Sequence, residues 1–267
     1  MTRTNMIDAT HRAPHALGVI ALTLLGSLLG SGCSRHVYSP PARMLPIEDA
    51  LGPSAGGVNL GVQGSGSGTV FGPTIAAAGL HVDVGVSDRI DLVGEGTFMN
   101  LDGSGDQPIG SPRTDGAAGR AGLRFTLSET QRKPGDTPPL LLGLALTGGF
   151  GGGATAVGTY VSPDLGLSFS MRTPTGFDLS TGVRTWTSVP VLRHTFAWTE
   201  DERSNNPATT FGAGFTIQGA VPLGFDPTRR GEPRFRALVG LGIAYIGDGT
   251  EDSTFMQLGG ALEARLD

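Results

Sequence analysis

A chain of 267 residues with 16% charged and 38% hydrophobic content is long enough to bury a sizeable core, which excludes simple disorder. The formal net charge of -5 and the single lysine, Lys133, exclude a dedicated nucleic-acid surface, because neutralising phosphates needs clustered Lys and Arg. The lone Cys33 excludes a disulfide framework and a cysteine-rich metal site, and the 44 glycines lack the three-residue period of collagen.

At the N-terminus, Arg3, His11 and Arg12 precede an apolar run from Ala16 to Leu29. The run falls short of the roughly 20 apolar residues a membrane-spanning helix needs, so it reads as an export signal. Leu29-Gly30-Ser31-Gly32-Cys33 follows and resembles a bacterial lipobox, with Gly30 where that pattern carries Leu, Val or Ile. The resemblance implies a lipoprotein-type signal peptide over 1–32, acylation of Cys33 and, with Ser34 after it, sorting onward to an outer membrane. The alternative is an ordinary signal peptide cut near the same small residues, leaving Cys33 an incidental thiol. Residues 33–55, with Pro40, Pro41, Pro46 and Pro53, read as a tether.

From Gly56 onward apolar residues alternate with small or polar ones, the period-2 pattern of strands with two unlike faces. Leu80, Val82, Val84 and Val86 alternate with His81, Asp83 and Gly85, and Ser87-Asp88-Arg89 turns the chain into Ile90, Leu92 and Phe98, opposed by Asp91, Glu95 and Thr97. Ala121, Leu123, Phe125 and Leu127 oppose Arg120, Arg124 and Thr126. Leu165, Leu167, Phe169 and Met171 oppose Asp164, Ser168 and Arg172, and after a turn at Pro174-Thr175-Gly176 the pattern resumes with Phe177, Leu179 and Val183 against Asp178, Ser180 and Arg184. Phe235 to Tyr245 opposes Arg234 and Arg236, and weaker segments lie at about 56–66, 139–150, 209–221 and 253–266. Together these predict an all-β domain over 56–267, an antiparallel up-and-down transmembrane barrel of about ten strands, with eight possible.

The longest predicted connections, near 101–115 and 188–208, fall on odd-numbered positions and the tightest turns, at 87–89 and 172–176, on even ones, which assigns the long connections to the outer side. On this map Phe98, Tyr160, Trp186, Phe211, Tyr245 and Phe255 fall near the outer strand ends, and Phe125, Phe169, Phe177 and Phe235 near the inner ends, as interfacial girdles. Strict alternation points Trp186 and Phe255 inward instead.

In this patterning the chain resembles the small outer-membrane β-barrels built like the OmpA transmembrane domain and its ten-stranded relatives. The resemblance covers about 56–266 and rests on the Val84-Gly85-Val86-Ser87-Asp88-Arg89-Ile90-Asp91-Leu92 hairpin and on the alternation of Leu258, Leu262, Ala264 and Leu266 in the closing strand. That strand ends on Asp267 where those families carry an aromatic residue. The resemblance implies the outer membrane of a Gram-negative bacterium, contact with its lipid, and the barrel-insertion and lipoprotein-sorting machineries as partners in biogenesis.

The inward positions of such a barrel hold Asp83, Asp91, Glu95, Asp164, Asp178 and Glu263 together with Arg120, Arg124, Arg172, Arg184, Arg236 and Arg265. Balanced charges in a confined lumen must pair, so the set predicts a structural ion-pair network, with a selective pore as the sharper alternative. Inward glycines such as Gly212, Gly214, Gly240 and Gly242 relieve crowding there.

Catalysis finds little support. His194, near Glu200, Asp201 and Ser204, fits a solvated loop better than a paired nucleophile and base. Gly148 to Gly153 lacks the Lys-Ser/Thr of a phosphate loop, and the acidic stretches 102–106 and 248–252 do not match a calcium loop. No cofactor is expected. The sequence therefore predicts a non-enzymatic outer-membrane barrel, porin-like in architecture, with a structural role or surface interactions through its outer loops. Its rivals are a narrow channel or hydrophobic-ligand transporter, a soluble lipid-anchored periplasmic barrel binding a ligand inside, and an outer-membrane protease or lipid A-modifying enzyme. Oligomeric state is not legible.

Overall fold

The computed structural model describes residues 49–53, 55–68, 74–102, 114–130, 140–155, 158–193, 209–224, 234–247 and 252–266. The signal segment 1–32, Cys33, most of the tether and His194 with its neighbours lie outside them.

Ten strands follow one another: β1 (Val58–Gly68), β2 (Thr74–Ser87), β3 (Ile90–Asp102), β4 (Thr114–Glu129), β5 (Leu141–Thr155), β6 (Gly158–Arg172), β7 (Asp178–Arg193), β8 (Thr210–Leu223), β9 (Phe235–Gly247) and β10 (Asp252–Leu266). Each pairs antiparallel with its sequence neighbour, and β1 pairs with β10 from Val58↔Leu266 to Gly68↔Met256, closing the barrel. Closure leaves no free sheet edge. An even strand count puts the start of β1 and the end of β10 at the same rim, here called proximal, together with the tight Asp88-Arg89 turn; the opposite rim is distal. The proximal β6–β7 turn closes through Thr173 N–H donating to Phe177 O at 2.8 Å, with Gly176 at φ 81° supplying the left-handed step.

Alternation sorts the wall into two faces. Leu80, Leu92, Leu123, Leu167, Val183, Leu241 and Leu258 are exposed on the outside, while Asp91, Arg124, Asp178, Arg236 and Glu263 are buried inside. This is the reverse of a soluble barrel with an apolar interior, the geometry the lipid-anchored ligand-binding alternative requires.

The longest connection, between Arg193 and Thr210, is distal and the tight turns after Ser87 and Arg172 are proximal, as expected, while the proximal rim also carries the long stretches from Glu129 to Leu141 and from Leu223 to Phe235 and the distal rim a short one from Thr155 to Gly158. Two expectations need correction. Of the predicted girdle, Phe98, Phe211, Tyr245, Phe125, Phe169, Phe177 and Phe235 do face outward, but Tyr160 is buried inside with Trp186 and Phe255. Tyr160 shares the inward parity of Ser162, Asp164, Ser168, Ser170 and Arg172, so alternation along β6 itself turns it into the lumen. Finally, the end of the expected tether is no free linker. Ala50 and Leu51 are buried within the proximal mouth of the barrel.

Candidate functional site

The lumen is built in two layers. Its proximal half holds most of the charged pairs and its distal half an apolar cluster among buried hydroxyls such as Ser162, Ser188 and Thr254, and the charged side chains on the strands get there by register.

In the register Arg236 on β9 stands opposite Glu263 on β10, Asp91 on β3 opposite Arg124 on β4, Glu95 opposite Arg120, and Arg172 on β6 opposite Asp178 on β7. Direct cross-strand neighbours on one face lie about 4.5–5.5 Å apart at Cβ, close enough to pair. Arg172 forks onto Asp178 with Nε to Oδ1 at 2.6 Å and a second bond at 2.9 Å. Arg236 donates to Glu263 through both Nε, at 3.0 Å, and a terminal nitrogen, and reaches Asp178 Oδ2 at 2.7 Å, so Asp178 joins β6, β7 and β9. Arg124 donates through Nε to Asp91 at 2.9 Å and lies 3.3 Å from Asp83.

Like Arg236–Asp178 over β8 and Arg124–Asp83 over β3, two further bridges cross an intervening strand, and glycine makes these two possible. His81 on β2 lies over Gly61 of β1, whose absent Cβ would stand 2.7 Å from the ring Nε2, and reaches Glu263 on β10 at 2.8 Å. Arg120 on β4 lies over Gly149 of β5 and forks onto Asp164 of β6 with two 2.6 Å bonds, while Glu95 sits 3.5 Å from the same guanidinium. Bidentate Arg–carboxylate geometry is the strongest form of such a contact.

The N-terminal segment completes the proximal layer. Arg124 donates to the Asp49 carbonyl at 3.1 Å, Arg236 lies 3.3 Å from the Asp49 carboxylate, and Ala50 N–H donates to Ser170 Oγ at 2.7 Å. Ser170 Oγ in turn shares a 2.8 Å hydrogen bond with Ser180. Leu51 packs against Gly143, and Gly52 passes between Asp91 and Arg124. A crevice of about 10 Å³ lies beside Leu51, Asn59 and Arg236, room for about one water.

The distal layer is an inner apolar cluster of Ile75, Ala77, Met99, Ala118, Trp186, Ala244, Ile246 and Phe255. The Trp186 indole lies flat over Gly212, and Arg184 stands 5.1 Å from its ring centroid, a cation–π distance.

Of the predicted lumen set, Asp83, Asp91, Glu95, Arg120, Arg124, Asp164, Arg172, Asp178, Arg236 and Glu263 are brought together in ion pairs. Arg184 is buried and stands over an aromatic face, and Arg265 is half-buried at the proximal rim beside Arg234, whose carbonyl accepts its N–H at 2.8 Å. Asp49 was missed because it stands outside any alternating segment. Of the glycines expected to relieve crowding, Gly212 does so directly, and Gly61 and Gly149 do so unforeseen.

No protein-family model matches the sequence, and no curated protein does. Among solved structures the chain is similar to an outer membrane channel from Pseudomonas putida F1, at 11% identity over 82% of this chain and 98% of that one, with a TM-score of 0.43. It is also similar to a loop-deletion form of OmpT, an outer membrane protein of Vibrio cholerae, at 10% identity over 79% of this chain and 100% of that one, with a TM-score of 0.23. Both neighbours are outer membrane proteins, and what this chain has of its own is a closed antiparallel barrel of ten strands.

Proposed function

We propose that the protein is a non-enzymatic β-barrel of a Gram-negative outer membrane, lipid-anchored at Cys33, with a lumen closed by its own side chains and a structural or surface-interaction role exerted through connections such as that around 188–208. One observation carries the reading: large apolar side chains ring the outside while paired charges fill the inside. In water that arrangement would leave Leu, Val and Phe on every strand hydrated and bury the ions, an unfavourable exchange at about 25 cal/mol per Å² of apolar surface. Hydrocarbon outside reverses the sign. The packed charged layer, the Asp49–Pro53 segment and the apolar distal cluster support a closed lumen over a channel.

The test is whether the fold depends on an amphiphile. The mature chain should refold into detergent micelles or lipid vesicles and migrate faster unheated than boiled in a detergent gel; a monomer that stays folded in plain buffer ends the membrane reading. Palmitate labelling that disappears in Cys33→Ala tests the anchor separately.

A further inference from the structure

The segment at the proximal mouth is held the way a ligand is held. Among the described residues, 49–53 make no backbone-to-backbone bond to any strand, and the bonds that fix them to the wall come from barrel side chains. Those side chains are oriented without it. Arg124 has Asp91 and Asp83, Arg236 has Glu263 and Asp178, and Ser170 has Ser180, so each polar group that grips the segment has its own partner on the barrel wall. Partners fixed in advance lower the cost of binding.

Four successive positions are read. Asp49 gives its Oδ2 to Arg236 and its carbonyl to Arg124, while its Oδ1 accepts Leu51 N–H at 2.8 Å, so the segment carries its own turn. Ala50 donates its N–H to Ser170 and, at 1% exposed, has no room for a larger side chain without displacing the wall. Leu51 is buried on the spot where a Gly143 Cβ would intrude. Position 52 is restricted to glycine, because a Cβ there would push apart the paired Asp91 and Arg124. The connection to β1 is short. It comprises residues 54–57, pinned where Gly56 N–H donates to Gly85 O at 2.7 Å and Gly85 N–H to Gly57 O at 3.0 Å. A short linker sets an effective concentration on the order of millimolar at the mouth, which keeps the segment seated.

We propose that the proximal mouth is a peptide-binding site for an acidic, small, leucine, glycine sequence, and that Asp49–Gly52 is its built-in occupant. The partner it fits is a protein that presents the same short sequence at the proximal rim and takes the place of the chain's own copy. Recognition lies wholly inside the barrel, so the site stands apart from the membrane reading.

The test uses the full chain folded in detergent micelles, with faster migration unheated than boiled as the check on folding. Gly52→Val should expel the segment by collision; Leu51→Asp, which sets a carboxylate in the leucine seat, replaces it should the first variant fail to fold. A fluorophore-labelled peptide with the sequence of residues 47–55 is titrated with each barrel. Its anisotropy should rise saturably with the variant, whereas the unsubstituted barrel, filled by its own segment, should require at least about tenfold more protein for the same signal. Peptides carrying Asp49→Ala or Gly52→Val should bind the variant barrel at least about tenfold more weakly. Equal binding by the unsubstituted barrel, equal binding of the Gly52→Val peptide, or no saturable binding to a folded variant overturns the site.

Discussion

Gly61 and His81 form a matched pair, since any Cβ at position 61 would collide with the imidazole that crosses β1 to reach Glu263. Gly61→Ala should therefore cost about 1–3 kcal/mol as an overpacking change. In the His81→Ala background the same substitution should cost much less, and the non-additivity, read from urea unfolding in detergent micelles, is the check. Arg236 joins three carboxylates of the lumen, Glu263, Asp178 and Asp49. Removing it leaves buried carboxylates uncompensated, so Arg236→Met should destabilise by roughly 3–5 kcal/mol. Adding Glu263→Met should recover part of that loss, because the apolar pair no longer strands a charge; a double variant worse than the single one would contradict the paired-network account.

At the scale of elements, the segment Asp49–Pro53 behaves as part of the barrel rather than as a linker into it. Its backbone and carboxylate are gripped by Arg124 and Arg236, and its leucine fills space over Gly143. Asp49→Ala should lower stability by about 1–2 kcal/mol through the lost charge-assisted contact. With Cys33 replaced by Ser, a Leu51→Cys thiol should resist a bulky maleimide in the folded barrel and react once the protein is unfolded; rapid labelling of the folded form would place the segment outside the lumen. The strands themselves were legible wherever the two faces differ in polarity. β6 and β7 read clearly from Asp164 to Arg172 and from Asp178 to Arg184, where apolar residues alternate with charged or hydroxyl ones. Their distal portions, and that of β2 from Thr74 to Gly79, were missed or blurred. There Ile75, Ala77, Tyr160 and Trp186 make the inner face apolar too, so the period-2 signal fades although the backbone runs on.

For the whole molecule, the proposed closure of the lumen rests on a charged layer stacked on an apolar cluster. Planar bilayers holding the protein should show no more conductance than protein-free ones, and deletion of residues 34–53 should leave that unchanged, because the cluster around Met99, Trp186 and Phe255 remains. Discrete current steps appearing on deletion would instead make the N-terminal segment the gate of a channel. Closure of β1 onto β10 also fixes both ends of the described barrel at one rim, the rim at which Asp49 is held.

Local alternation determined a great deal here: the ten strands, their antiparallel succession, and the identity of most inward charges follow from period 2 and turn residues, because a strand's faces are fixed by its own sequence. What only the tertiary structure decided is everything that crosses strands or comes from outside them. Which arginine meets which carboxylate, that Arg184 packs on Trp186, and that Asp49 enters the mouth all depend on register and curvature. Those are properties of the closed sheet, and no single segment carries them.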